Sequence, residues 1–399
     1  MKTQIKAGLS LGGVFVWIVL AAVAQPAAYP VQTKVVDGVR SVMNPVEPRD
    51  GVFTPKYVEE WSVGGENDPQ GELVNRPFEV RIGTDGLVYI LDWGDTCIRI
   101  FDAKGKFVRQ VGRKGQGPGE IDTPAYIDVT PAGEIYILDS RNMRISRFAK
   151  DGTFLKSFRM DKFSSLVRTD GLGRIYRGEE STAEPSGASS NYREIIQTLT
   201  IVRMDVEGGN PRRFGPFIGR KFLQKSDGAG VMMLGSQASP TTGWGVDRNG
   251  GVYAGYNEKY EVGVYDSEGK ILFRFGRKFE PVKNPRYKPS TAYAQPENQP
   301  AFNPEFFFDE TGNIWLPLFR AGDKDPFLYD IFSPEGIYIR QIVVPFRIYR
   351  VWKGNAYAVV ETEEGFKAVK CYRLDFSGPN RTPSTFSQTQ EKSPRAPLF

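Results

Sequence analysis

The chain has 399 residues, 40% of them hydrophobic, 13% aromatic and 25% charged, with a formal net charge of +5. That composition can build a large core and excludes a disordered chain, while the positive surplus is too small to argue for a nucleic-acid partner. There is no histidine at all, which removes serine–histidine triads, imidazole general bases and histidine metal sites together.

From the N-terminus, Lys2 and Lys6 precede an apolar run from Ala7 to Ala24 that ends in Ala22-Val23-Ala24, a small-x-small cleavage pattern. Residues 1–24 therefore predict an export signal and a periplasmic or extracellular protein. At about 18 residues the run just reaches spanning length, so retention as a membrane anchor is the alternative. No cysteine directly follows the run, which argues against a lipoprotein. Residues 25–55, with Pro26, Pro30, Pro45, Pro48 and Pro55, predict an extended leader.

Next comes a repeat. GLVYILDWGDTCIRIFDAKGKFVRQVG (86–112) recurs as GEIYILDSRNMRISRFAKDGTFLKSF (133–158), with Gly86, Asp92, Ile98, Phe101 and Gly105 matching Gly133, Asp139, Ile145, Phe148 and Gly152. Each copy carries short β-branched and aromatic runs separated by turn signals, the pattern of a four-stranded antiparallel meander. Degenerate copies follow from 164 to about 214, and over 244–276, 305–344 and 346–376. The sixth copy has only three strands, and KYVEEWSVGG (56–65) resembles an outermost strand, so the N-terminal segment is expected to complete the last blade and close a ring. The expected fold is all-β: a six-bladed β-propeller over 56–376, followed by a disordered tail, 377–399.

The alternation of xGxIYILD with RIxxFxxxG, together with GRKGQGPGE (112–120), resembles the NHL-repeat class of six-bladed propellers. The match is strongest over 78–158 and clear over 244–276. The resemblance implies fold alone, because such propellers host scaffolds, receptors, lactonases and lyases. The lyases of this class lean on histidine, which this chain lacks. Similarity to gluconolactonase-like propellers would imply a divalent cation, Ca²⁺ for instance, held in the central channel by oxygen ligands; Glu179, Asn257 and Glu361 are the candidates at second-strand ends.

The long insertions 178–198, 215–243 and 277–304 all fall on the end of the ring that carries the blade-to-blade connectors, as does 320–326. Decoration confined to one rim predicts a binding surface there, on loops held by a rigid scaffold. Candidate contacts are Trp93, Trp244, Tyr256, Arg286, Tyr287, Lys288 and Arg320. The leading expectation is an exported, monomeric, non-catalytic propeller without a cofactor that binds a protein, peptide or glycan; the alternative is a cation-dependent lactonase-like hydrolase. Asp92 and Asp139, repeated in register, predict carboxylates that bind backbone N–H groups in the following turn. Arg99 and Arg144 are expected to pack their stems between blades, and the glycines of 112–120 to serve a connector. Cys97 and Cys371 occupy equivalent third-strand positions one blade apart, too far for a disulfide, and predict free buried thiols.

Overall fold

A computed structural model describes residues 29–65, 74–164, 166–182, 192–226, 231–234, 239–284, 296–320, 322, 324–363 and 365–377. Residues 1–30 separate as a small unit from 31–399. The export signal lies outside the described residues.

Every regular element among the described residues is a strand, and the strands form six sheets around one axis. Blade one is Pro77–Ile82, Val88–Asp92, Cys97–Phe101 and Phe107–Val111; blade two is Pro124–Val129, Ile135–Asp139, Arg144–Phe148 and Phe154–Arg159. Both are antiparallel meanders, as their alternating strand and turn residues require. A meander of this kind has two apolar faces. Six separate buried clusters occupy the six blade interfaces, among them Leu91, Ile98 and Ile100 against Ile127, Ile135 and Ile137 between blades one and two.

Ring closure is made by Lys56–Gly64, which pairs antiparallel with Lys367–Asp375 as the fourth strand of blade six. Ion pairs Lys370–Glu59 (2.9 Å) and Arg373–Glu60 (2.6 Å) flank the ladder. Trp61 on this strand also donates from Nε1 to the Ala103 carbonyl at 3.0 Å, reaching blade one. Gly105 has φ +78°, and a Cβ there would stand 2.8 Å from the Trp61 ring, so this turn needs glycine on both counts.

Residues 25–55 are more than an extended leader. Gln32–Val36 and Val39–Asn44 form a hairpin, and the second strand adds parallel to the outer strand of blade four, Ile271–Arg277. Val52–Phe53 then adds parallel to the outer strand of blade five, Tyr338–Val344. The N-terminal segment is thus a belt over three consecutive blades. Its buckle is Asn44, 1% exposed, whose Nδ2 donates to the carbonyls of Gly276 and Gly336 at 2.8 Å each while Oδ1 accepts Tyr338 N–H at 3.0 Å.

The insertions also differ from the expected loops. In blade three, 178–198 and 215–243 largely continue the strands themselves: Ile175–Thr182, Tyr192–Met204, Arg212–Ser226 and Val231–Leu234 lie in one five-stranded sheet that runs past the ring. Within 277–304, Lys283 and Asn298 form an isolated antiparallel bridge.

Cys97 and Cys371 are free and buried, as the repeat register predicts. Burial pushes the Cys97 thiol up to about 12 and the Cys371 thiol to about 11, so both stay protonated and shielded near neutrality. Ellman's reagent at pH 8 should find no reactive thiol in the native chain and two after unfolding. Replacing Asn44 by Ala leaves an N–H and two carbonyls unpaired between blades four and five; the unfolding free energy should fall by about 2–4 kcal/mol in urea titration.

Candidate functional site

The second strand of every blade carries one aromatic residue at the same place, and the residue facing it across the innermost strand defines a ring around the axis. The pairs are Arg81–Tyr89, Asp128–Tyr136, Arg168–Tyr176, Gly245–Tyr253, Phe307–Trp315 and Arg350–Tyr357. Three guanidinium groups and one carboxylate thus occupy one level of the channel. This ring lines a cavity of about 380 Å³, within the range of small-molecule sites. Its mouth is made by the short turns between first and second strands, including Thr130-Pro131, Asp247-Arg248-Asn249 and Asp309-Glu310-Thr311. It therefore opens on the end opposite the insertions. Strand growth in blade three accounts for much of the insertion length.

The floor is a chain of charges. Glu79 and Arg81, alternate residues of one strand, are ion-paired, and Arg350 Nη2 stands 3.4 Å from the same Glu79 oxygen. Arg81 Nε donates to Asp128 Oδ1 at 3.1 Å, and Asp128 Oδ2 accepts Thr169 N–H (2.6 Å) and Oγ1 (2.9 Å). The network thereby ties blades six, one, two and three. Tyr126 lies between two arginines, with Arg81 4.7 Å and Arg168 4.5 Å from its ring, and its hydroxyl accepts Arg168 Nη2 at 2.9 Å. Arg168 has no ion pair to a carboxylate among the described residues.

The electrostatics follow from burial and count. Burial works against the Glu79 charge, but Arg81, Arg350 and Arg168 outweigh it and hold its carboxyl below the usual range. Burial likewise opposes the Arg81 charge, and Glu79, Tyr126 and Asp128 more than restore it. Arg350 goes the other way: burial, and then repulsion from Arg81, pull it down to about 10 despite Glu79. It remains charged at neutral pH, on a floor where three arginines face two carboxylates.

Blades four and five furnish an apolar wall. Val246, Phe307, Phe308 and Tyr253 line it, with the Tyr253 and Phe308 rings edge-to-face at 4.9 Å. A Cβ at Gly245 would stand 3.0 Å from Phe306 and Phe308, so glycine makes room for these rings. At the mouth, exposed Arg248 of blade four stacks on Trp352 of blade six at 5.4 Å, past the turn of blade five. Most acid oxygens there are engaged: Asp247 Oδ1 accepts Asn249 and Gly251 N–H at 2.8 Å, Asp309 Oδ1 accepts Thr311 and Asn313 N–H at 2.9 Å, and Glu310 Oε1 accepts Lys353 N–H at 2.9 Å, while Glu310 Oε2 is buried without a hydrogen-bond partner.

The residues singled out in the sequence lie elsewhere. Trp244 is 4% exposed and belongs to the core between blades three and four. Trp93 is 42% exposed beneath the Arg76 guanidinium at 4.6 Å, Tyr256 is half-buried at a strand end, and Arg320 stacks on Phe327 at 4.4 Å. None of these four lines the cavity. Arg286, Tyr287 and Lys288 lie outside the described residues.

The alternative metal ligands serve other partners. Glu179, 2% exposed, binds Arg177 (2.8 Å), Arg213 (2.7 Å) and Lys162 (3.5 Å). Glu361 is exposed at the end of its strand. Asn257 is a staple: Oδ1 accepts Thr241 N–H at 2.7 Å, just ahead of its own blade, and Nδ2 donates to Phe302 O at 2.7 Å. Asp92 does the same with Asn75 and Arg76 N–H (2.8 and 2.9 Å), and Asp139 with Asp122 and Thr123 N–H (3.0 and 3.1 Å). All three thus pin the connector leading into their own blade, in addition to the following turn for the two aspartates. No group of three or more acidic or cysteine side chains suited to a metal occurs among the described residues.

Arg99 and Arg144 do more than pack their stems. Arg99 pairs with Asp92 at 3.2 Å and with Asp95, and Arg144 donates to the connector carbonyls of Gln116, Gly117 and Glu120 at 2.7–3.1 Å. Sequence reasoning missed Arg81, Arg168 and Arg350. A signal existed, since the channel residue precedes the second-strand aromatic by eight positions in five blades and seven in the sixth.

Residues 73–199 match the DUF5128 family model, a 6-bladed beta-propeller. No curated protein matches by sequence. Among solved structures, a DUF4221-family member from Bacteroides vulgatus is similar at 10% identity and TM-score 0.51, covering 82% of this chain and 99% of its own. A presumed exported protein of Bacteroides fragilis aligns at 13% identity and TM-score 0.49, over 84% and 98% of the two chains. A gluconolactonase of Xanthomonas campestris aligns at 10% and 0.42, over 88% and 99%. At 10% identity the likeness to the DUF4221-family member concerns the fold alone.

Removing the Glu79 charge would leave three arginines facing Asp128. Glu79→Gln should cost about 3–5 kcal/mol of stability at pH 7, whereas Arg350→Met should be neutral or stabilising. Because the folded state holds Glu79 below its unfolded value, its contribution is present above about pH 4.5 and fades as pH falls through the folded value. Urea midpoints measured from pH 7 to pH 3 should therefore fall more steeply for wild type than for Glu79→Gln.

Proposed function

We propose that this chain is an exported, non-catalytic binding propeller of NHL-like type, and that its protein, peptide or glycan partner enters the axial cavity at the turn end. One observation carries the reading: the cavity is lined on one side by fixed guanidinium groups and on the other by aromatic rings, while its carboxylates, Glu310 Oε2 excepted, are already engaged. An arrangement of that kind recognises, and no cluster of acidic side chains suited to a cation occurs among the described residues. The lactonase-like alternative loses support with Glu179 in ion pairs and Asn257 in backbone bonds. The inserted end remains a second contact surface in this proposal, with the chain acting as a monomer outside the cytoplasm and without a cofactor.

A peptide and glycan array probed with labelled mature chain tests it. Asn249→Trp, a wedge at the exposed mouth, should abolish the array signal, and deletion of 285–295 should leave most of it. Signal that survives the wedge and vanishes with the deletion would move the site to the inserted rim. Calcium-stimulated lactone hydrolysis would replace binding by catalysis.

A further inference from the structure

We propose that the cavity floor holds the carboxylate of a ligand whose adjoining group is apolar, as at the C-terminal residue of a peptide. The inference rests on the cavity being the binding site and adds the chemistry that is bound.

The charge count on the floor selects the anion. Arg81, Arg168 and Arg350 face Glu79 and Asp128, which leaves one positive charge in surplus on a floor where each of these side chains is 15% exposed or less; Asp170, which also lines the cavity, is spent on Arg174 at 2.6 Å. Unbalanced buried charge is costly, and a single carboxylate neutralises it. A phosphate dianion would overshoot and leave a negative charge in the same place. Arg168 supplies the cation without a carboxylate, since Tyr126 and the Val167 carbonyl are its hydrogen-bond partners and neither is charged, and Arg81 Nη2 is a buried donor with no partner. Planar guanidinium also suits the two oxygens of a carboxylate.

The apolar wall selects what is attached to the anion. Tyr253, Phe307, Phe308 and Val246 stand on the blades that contribute no charge to the floor. A ligand with a carboxylate beside an aliphatic or aromatic side chain fills both halves at once. The acidic turns at the mouth, Asp247, Asp309 and Glu310, disfavour a polyanion threading inward and tolerate the neutral amides of a peptide.

The test is isothermal titration of the full mature chain with N-acetyl-phenylalanine, its C-terminal amide and inorganic phosphate, each to 20 mM. The acid should bind at least tenfold more tightly than the amide, and phosphate more weakly than the acid. Arg168→Met should remove the preference for acid over amide; Arg350→Met provides the same test if the first variant loses its native melting transition, and Arg168→Lys should restore part of the preference. Equal binding of acid and amide, tighter binding of phosphate, no binding of the acid, or an unchanged preference in both methionine variants would overturn the inference. Amidated peptides bound on the array in a wedge-sensitive manner would reject carboxylate recognition and leave the cavity as the binding site.

Discussion

The structure depends on the pairing of Lys56–Gly64 with Lys367–Asp375. A ring of sheets is only as stable as its seam, because the first and last blades otherwise present open strand edges and an uncovered apolar face. Here the seam is sealed by segments nearly the whole propeller apart in sequence. Its loop-closure entropy is therefore large, though it grows only slowly with length. The Trp61 contact with the blade-one turn makes the closing strand part of two blades at once. With the ring closed, six apolar interfaces become mutually dependent, and the residues nearest the axis are held at a common level.

That common level is what turns a repeat into a site. Each innermost strand places one residue opposite the second-strand aromatic, and the aromatic is fixed because it fills a blade interface. Of these aromatics, Tyr89, Tyr136 and Tyr357 are at most 1% exposed. A packed ring thus aims a neighbour whose identity packing does not dictate, and Arg, Asp, Arg, Gly, Phe and Arg share six equivalent positions. The scaffold repeats while the site does not. Charge gathers on blades six, one, two and three, and blades four and five remain apolar.

Much of the fold was legible in the sequence, for a physical reason. Strand alternation, glycine turns and the Asp92–Asp139 register are local signals that survive in each copy, and they give the blade count and the closure. The belt was not legible. Gln32–Val36 is exposed throughout and Val52–Phe53 is only two residues long, so neither carries a pattern of its own; Gln32–Val36 is a strand through its pairing with Val39–Asn44, which lies on blade four, and Val52–Phe53 through its partner in blade five. Asn44 is equally silent, since nothing near it in sequence shows that a buried amide will meet Gly276, Gly336 and Tyr338. Asn257 stands one position later than Asp92 does relative to its aromatic, and it performs the same stapling with a neutral side chain.

The site was hidden for a different reason. Insertions attract attention because length is visible in a sequence, whereas the channel ring consists of single residues inside ordinary strands. Arg81, Arg168 and Arg350 are single residues within ordinary strand segments, and none stands out one at a time. Only closure brings them to one level, and only then does their charge become an imbalance. The depressed Arg350 makes the point: its nearest carboxylate is shared with Arg81, so the floor is built with more cation than its own anions can satisfy. A scaffold selected for stability alone would gain by replacing one of these arginines with an apolar residue. That the chain keeps three, on strands otherwise devoted to packing, argues that the surplus charge serves something that enters from outside.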